Sequence, residues 1–543
     1  MPTPSSFAQL ADRFLKEELA DSPVLASSLG VDGFDDRLDD LSAEAFRRRD
    51  ASAVEWLARF RAVPDEGLTA DEAIDRDFLI SVLRGREITA PHQMWKRQPA
   101  TYLNPGLSGV FILFLHKLHP EAELADAARA RLLQVPEGLR QGIDNLDLTL
   151  APRIYLDRAI GQAAASARYA RELVALEVGD PAKREQVAAA GAEAADAFDA
   201  FGAFLKAKRD KATGSYAIGE EMYTALLREK ELLPYDARQL RERGREQYDL
   251  LAAEAKRLAK EISGSDDWVG LLAKLNAVHA ATPEEMRLEY ADWTERARSF
   301  LRETGLVTLP AGETCAVVPS PAFQRPVLAV ASYQRPPAFT ASQAGHFFVP
   351  YPPDGTSPEE IQKRLEGNCT AGIPTTAVHE AYPGHHWHLV MAKSNPSAIR
   401  KVFGTSYFSE GWALYAERVM REQGFFTDPK AELYQYEATI FRAARIIVDT
   451  SLHLGEMSFD DAVTFMVEKG NLSEPNAKAE VGRYCSWPTQ AASYLTGMLE
   501  IVDLRTRWLA RRGRSDVAAL REFHDRLTST GSLPTSLAER AIA

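Results

Sequence analysis

Four of the eleven histidines in this 543-residue chain fall within ten positions, in Thr375-Thr376-Ala377-Val378-His379-Glu380-Ala381-Tyr382-Pro383-Gly384-His385-His386-Trp387-His388. Imidazole is the commonest protein ligand for zinc, and a carboxylate beside it can act as general base towards a metal-activated water. The His379-Glu380 pair therefore points to a metal-dependent hydrolase. In the usual HExxH arrangement two histidines one turn apart share a helical face. Here the position one turn on is Pro383, which cannot bind a metal.

The next histidine, His385, lies about 240° round a straight helix from His379, so the helix must be distorted if both are to reach one ion. Pro383 supplies a cause, because it lacks an N–H and its ring clashes with the carbonyl of His379. Gly384 supplies the freedom, because it has no Cβ. A bulged turn is expected to swing His385 back to the face of His379. His386 already shares that face, but about 10.5 Å further along the axis. His385 is preferred as second ligand, with His386 as the alternative.

A catalytic zinc takes three protein ligands and keeps a fourth position open. Glu410 lies in Phe408-Ser409-Glu410-Gly411-Trp412-Ala413-Leu414-Tyr415-Ala416-Glu417, where Ser409 resembles an N-cap ahead of a helical pattern. From a neighbouring antiparallel helix it could deliver the third ligand; equally, it could do no more than favour the helix dipole. Further on, Arg483, Tyr484, Gln490 and Tyr494 fall within a dozen positions. Tyr494 and Tyr484 could donate to a developing oxyanion, and Arg483, with Gln490, could capture a substrate carboxylate. The alternative is an Arg483 paired with an internal acid and tyrosines that fill core. His388 reads as structural. Glu417 reads as a partner that orients a histidine or as an exposed ion pair.

Long helices are needed to position these residues, and the sequence supplies them. Apolar residues recur at three- and four-residue spacing over about 5–29, 42–63, 70–86, 121–147, 152–177, 181–209 and 236–264, then over 374–395, 409–423, 430–454, 459–469, 476–510 and 515–527. Between 305 and 356 β-branched and aromatic residues with frequent prolines predict a few strands, edge strands because proline cannot donate to a ladder. An edge of that kind can accept a peptide by strand addition. The expected architecture is mainly α, one catalytic unit over 1–543 with two lobes around a deep cleft, approximately 1–304 and 305–543, and a small antiparallel sheet beside the active-site helix.

HEAYPGHH, EGWALYAE and the run Arg483-Tyr484-Cys485-Ser486-Trp487-Pro488-Thr489-Gln490-Ala491-Ala492-Ser493-Tyr494-Leu495-Thr496-Gly497 resemble the bacterial family known as domain of unknown function 885. LGVDGFDDRLDDLS and Ile218-Gly219-Glu220-Glu221 are similar to it too, so the resemblance covers nearly the whole chain. It implies a zincin-like helical fold similar to carboxypeptidase Taq, oligopeptidases and angiotensin-converting enzyme. There the third zinc ligand is a glutamate on the helix after the second histidine, a position that Glu410 fits. The expected protein is a zinc metallopeptidase with one Zn²⁺, or another divalent metal, at His379, His385 and Glu410, and with Glu380 as general base. Its expected substrates are peptides or peptide-like molecules. The same chemistry would hydrolyse other amides or esters, and a chain without metal would be a zincin-like binding protein.

Composition narrows the partners. Sixty-four basic against 77 acidic residues leave a net charge of −13, which opposes nucleic acid and anionic membranes. The basic stretch 505–514 reads as a solvated helix end. Three scattered cysteines suggest neither disulfides nor a cysteine metal site. The first residues lack the marks of a signal peptide, and the longest apolar run, LSGVFILFL, is too short to span a bilayer. A soluble cytoplasmic protein is expected.

Overall fold

Apolar residues spaced three and four apart bury one face of each helix, and polar residues cap the ends. In the computed structural model, which describes residues 6–322, 324–325, 330–353 and 355–543, the expected periodic segments are helical. Ser5, Phe323, Asp354 and 326–329, all within segments assigned above, lie outside the described residues. Thr69 and Glu72 form a reciprocal capping box at the start of Ala70–Thr89, and Asp236 with Gln239 does the same for Ala237–Ser263. The described residues contain no helix long and apolar enough to cross a membrane. LSGVFILFL lies in the helix Ala100–His116, with Leu107, Val110, Ile112, Leu113 and Phe114 buried.

The chain divides into two compact units: Met1–Tyr216 with Ala322–Val327 and Pro337–Ser342, and Ala217–Pro321 with Leu328–Pro336 and Gln343–Ala543. In the first, Leu103, Val110, Leu132, Phe198 and Phe201 belong to one core of alanine-rich helices. The second unit carries every residue singled out for chemistry. It starts well before the compositional change near 305, because Ala237–Ser263 packs along Pro429–His453, with Gly244 against Ile446. The charged face of Ala237–Ser263 carries ion pairs of Arg257 with Glu254 and Glu261. Within 505–514, Arg505, Arg507, Arg511, Arg512 and Arg514 all pair with glutamate or aspartate.

Among the described residues the sheet has three short strands, β1 (Thr314–Pro319), β2 (Ser332–Gln334) and β3 (Ala344–Val349), in the order β1-β3-β2. The expected antiparallel sheet is in fact mixed. β2 runs antiparallel to β3, but β1, which is not joined to β3 by a hairpin, runs parallel to it. The proline-bearing β1 is an edge, as its lost donor requires.

Candidate metal centre

The stretch expected to form one distorted helix forms two, Ile373–Glu380 and His385–Lys393. The bulge of the sequence reading is a complete break. Tyr382-Pro383 is cis, and wide turns close through Gly384 N to Val378 O at 3.0 Å and Trp387 N to Ala381 O at 3.2 Å. Gly384 is required by space: a Cβ there would lie 1.9 Å from the carbonyl oxygen of His379 and 2.3 Å from that of Val378. Trp412 Nε1 ties the turn down by donating to Pro383 O at 2.8 Å.

The helix that carries Glu410 spans Ser406–Glu422, and its cap is Thr405, which accepts from Tyr407 N. Ser409 is therefore inside the helix and not its cap, and Glu410 lies in the second turn, past the donors that a first-turn carboxylate would favour. Gly411 meets Gly497 of the helix Ser493–Arg512 so closely that a Cβ on Gly497 would lie 1.8 Å from Tyr407 O. This close crossing brings Tyr494 beside Glu410. The single helix expected over 476–510 is likewise two, Glu474–Ser486 and Ser493–Arg512. Pro488 interrupts it, and buried Asp449 holds the connection by accepting from Thr489 N at 3.1 Å and the Tyr223 hydroxyl at 2.5 Å.

These elements bring His379, His385 and Glu410 together, with one ligand atom from each within 4.8 Å of the others. Glu410 Oε2 is 3.7 Å from His379 Nε2 and 3.2 Å from His385 Nε2. Ligands about 2.0–2.2 Å from one tetrahedral ion stand roughly 3.5 Å apart, so this donor set has the size for a single zinc. His379 Nδ1 donates to Glu417 Oε1 at 2.7 Å, which turns Nε2 towards the cluster. Burial opposes a charge on His379, but hydrogen bonding to Glu410 and Glu417 outweighs it and raises the imidazole to about 9. Glu410 moves the other way: against burial, His385 and His379 hold its carboxyl well below the usual range. The field that stabilises a proton here also favours a divalent cation.

Glu380 is 7% exposed, and among the described residues it has no hydrogen-bond or ion-pair partner. Burial raises its carboxyl above the usual value, while His379 and His385 pull it down. The Tyr494 ring lies nearly parallel to His379, centroids 6.4 Å apart at 17°, and its hydroxyl receives a long contact from Gln490 Nε2 at 3.5 Å. Burial and the charge of Glu410 raise Tyr494, so the phenol keeps its proton.

The remaining candidates are engaged with other protein groups. His386 is fully buried and turned away: its Nε2 donates to Glu313 Oε2 at 2.8 Å, and its Nδ1 accepts from the Tyr333 hydroxyl at 2.9 Å. Arg483 pairs with Glu480 at 2.9 Å and with the Gln490 side-chain oxygen, and Tyr484 is buried between Glu480 and Arg445. Arg483 is thus paired with an internal acid and Tyr484 is core, while Tyr494 is half-buried beside His379. His388 is buried against Phe408 and Trp412, and burial depresses it to about 3. The sequence reading passed over Glu313, Tyr333 and Arg442. The first two lie in the strand region, and Arg442 was one charged residue in a long helix.

Fold and site together define a class: a large helical protein in which a His-turn-His segment and a glutamate from a later helix converge beside a carboxyl that has no partner among the described residues. The chain belongs to the bacterial family of proteins of unknown function DUF885, whose model matches residues 23–542. Its fold is shared by a candidate lipoprotein of unknown function from Shewanella oneidensis, at 22% identity over 99% of both chains with a TM-score of 0.78. A candidate lipoprotein from Colwellia psychrerythraea is similar at 19% identity, over 99% of both chains, with a TM-score of 0.81. No curated protein matches the sequence.

Proposed function

We propose that this protein is a zinc-dependent metallopeptidase with a zincin-like fold of two lobes around a cleft, similar to carboxypeptidase Taq, oligopeptidases and angiotensin-converting enzyme. His379, His385 and Glu410 would hold one divalent ion. When bound, that ion supplies Lewis-acid chemistry, acidifying a water and polarising a carbonyl. Glu380 accepts the proton of the attacking water and passes it to the leaving amine. It has no partner among the described residues, which leaves the carboxyl free for this, and its raised proton affinity suits the transfer. Tyr494, protonated beside the cluster, donates to the oxygen on which charge develops. Glu417 keeps His379 in the required tautomer.

The observation that carries the reading is the convergence of His379, His385 and Glu410 beside the unpartnered Glu380. Metal analysis of protein purified without chelator should find one equivalent of zinc, and a panel of peptides blocked at either end should contain a substrate. Glu380→Gln should keep the metal and lose about 10²–10⁴-fold in turnover, the usual contribution of general-base catalysis. A metal-free protein, or a Glu380→Gln variant with wild-type turnover, overturns the reading; turnover of esters or non-peptide amides alone changes the substrate class. A cytoplasmic location is part of the proposal, supported by three free cysteines. Cell fractionation tests it against the envelope location that the descriptions of the two neighbours suggest.

A further inference from the structure

The wall beside Tyr494 carries three guanidinium groups, two of which share one carboxylate. Arg445 Cζ lies 4.6 Å from the centroid of the Tyr494 ring and Arg442 Cζ 5.8 Å, while Arg483 reaches it through Gln490. Arg445 and Arg483 share one acid: Glu480 Oε2 accepts from the first at 2.7 Å and from the second at 2.9 Å. Arg442 has no carboxylate partner among the described residues. Its Nη1 donates to Ala438 O at 3.0 Å, one turn back on its own helix, and its Nε is buried with no partner.

Arg442 stands beside Tyr494, close enough to the site for its charge to be felt there. Its charge acts on Glu380 and on Glu437. Burial pushes the Glu437 carboxyl up to about 7, so near neutrality Glu437 offsets only part of the arginine's charge. Arg442, Phe441 and Tyr494 are each half-buried, as are His385 and Glu410, so solvent reaches part of the Arg442 side chain as it does part of the two ligands. A planar fork of donors with an unfilled buried edge matches a carboxylate, which can take two parallel hydrogen bonds.

We propose that Arg442, and not Arg483, anchors a carboxylate of the substrate, so that the protein takes peptides with a free C-terminus close to the scissile amide. The Tyr494 ring neighbours both groups, its centroid 5.8 Å from Arg442 Cζ and 6.4 Å from the His379 ring. At about 3.5 Å per extended residue, two groups this close to one ring leave room for only a short C-terminal segment. The substrate assignment rests on the peptidase reading, and the anchor can be tested apart from it.

Two measurements on the full chain do so. In the metal-loaded protein, kcat/KM for an N-blocked peptide with a free C-terminus should exceed that for its C-terminal amide by about 10- to 100-fold, the range that charge-assisted hydrogen bonds supply. That ratio should fall towards one in Arg442→Gln, mainly through KM, and be partly kept in Arg442→Lys. In chelator-treated protein, calorimetry should find tighter binding of N-acetylphenylalanine than of its amide, and Arg442→Gln should lose the preference. Equal handling of acid and amide by the wild type overturns the proposal, whether or not the variants fold, and so does a folded Arg442→Gln that keeps the preference. Acid-selective binding that depends on Arg442, without hydrolysis of any peptide, supports the anchor and overturns the peptidase reading.

Discussion

His385 and His386 are neighbours in the chain, yet they belong to two clusters built from the same kinds of side chain on opposite sides of one turn. Around His385, the donors of His379 and Glu410 point at one another over 3.2–3.7 Å, and Glu380 beside them has no partner among the described residues. Around His386 every group is closed. Glu313 accepts from His386 Nε2, the Tyr382 hydroxyl and Arg298, while Tyr333 donates to His386 Nδ1. Histidine beside glutamate is thus no mark of function by itself. What separates the clusters is whether the hydrogen-bonding capacity is already spent: a closed network specifies structure, and an open one has room for a ligand.

The sharpest test of this difference is to delete its members one at a time. His379→Ala, His385→Ala and Glu410→Ala should each abolish stoichiometric metal binding, because two donors make a poor site. His386→Ala should keep its metal, measured per folded molecule by elemental analysis with circular dichroism as the control for folding. A His386→Ala variant that lost metal while His385→Ala kept it would reverse the assignment of the two clusters.

Much of this arrangement could be read from the residues, for reasons that show where such reading stops. The helices were legible because an apolar stripe has one period throughout an amphipathic helix. Pro383 and Gly384 showed that the helix must be distorted, but its complete break depends on the carbonyls of Val378 and His379, which leave no space for a Cβ at Gly384. Glu410 could be placed near a helix start but not in its second turn, because Thr405 takes the capping role that Ser409 seemed to offer. The parallel pairing of β1 with β3 has no local signal. Nor has the exchange of Arg442 for Arg483: both are arginines on periodic helices, and only the position of Glu480 decides which of them is spent.

The closed cluster should be expensive to open. Glu313→Gln removes the charge that Arg298 pairs with, and leaves the buried Tyr382 and His386 with a weaker acceptor. A loss of about 3 kcal/mol in folding stability is expected, towards the lower end of the cost of breaking a buried pair because Arg298 is partly exposed. Burial pushes the Glu313 carboxyl up, but its hydrogen bonds with His386 and Tyr382 win and hold it at about 2, against an ordinary 4.5. A carboxyl depressed by folding stabilises the protein at every pH above its unfolded value, and that contribution is lost as the pH falls from about 4.5 towards 2. Urea unfolding should therefore separate wild type from Glu313→Gln clearly at pH 7 and much less near pH 2. A gap that stayed constant would mean that the carboxylate charge contributes nothing.

The smallest effect should come from the residue that joins the open cluster to the core behind it. Glu417 is fully buried and accepts from His379 Nδ1, while its other oxygen, also buried, has no partner among the described residues. Glu417→Gln keeps an oxygen for that hydrogen bond and preserves the shape of the side chain, so the fold and the three metal-facing donors should survive. What it removes is a negative charge behind the imidazole, which makes Nε2 a better donor and helps to balance a bound dication. Substitutions of such partners typically weaken metal binding by about 10- to 100-fold without abolishing it. Competition with a chelator of known affinity should show a shift of that size for Glu417→Gln and one at least as large for Glu417→Ala, which also frees the imidazole to rotate. Unchanged affinity in both variants would mean that His379 is held by its helix alone, and Glu417 would then belong with Glu313 among the residues that only build the fold.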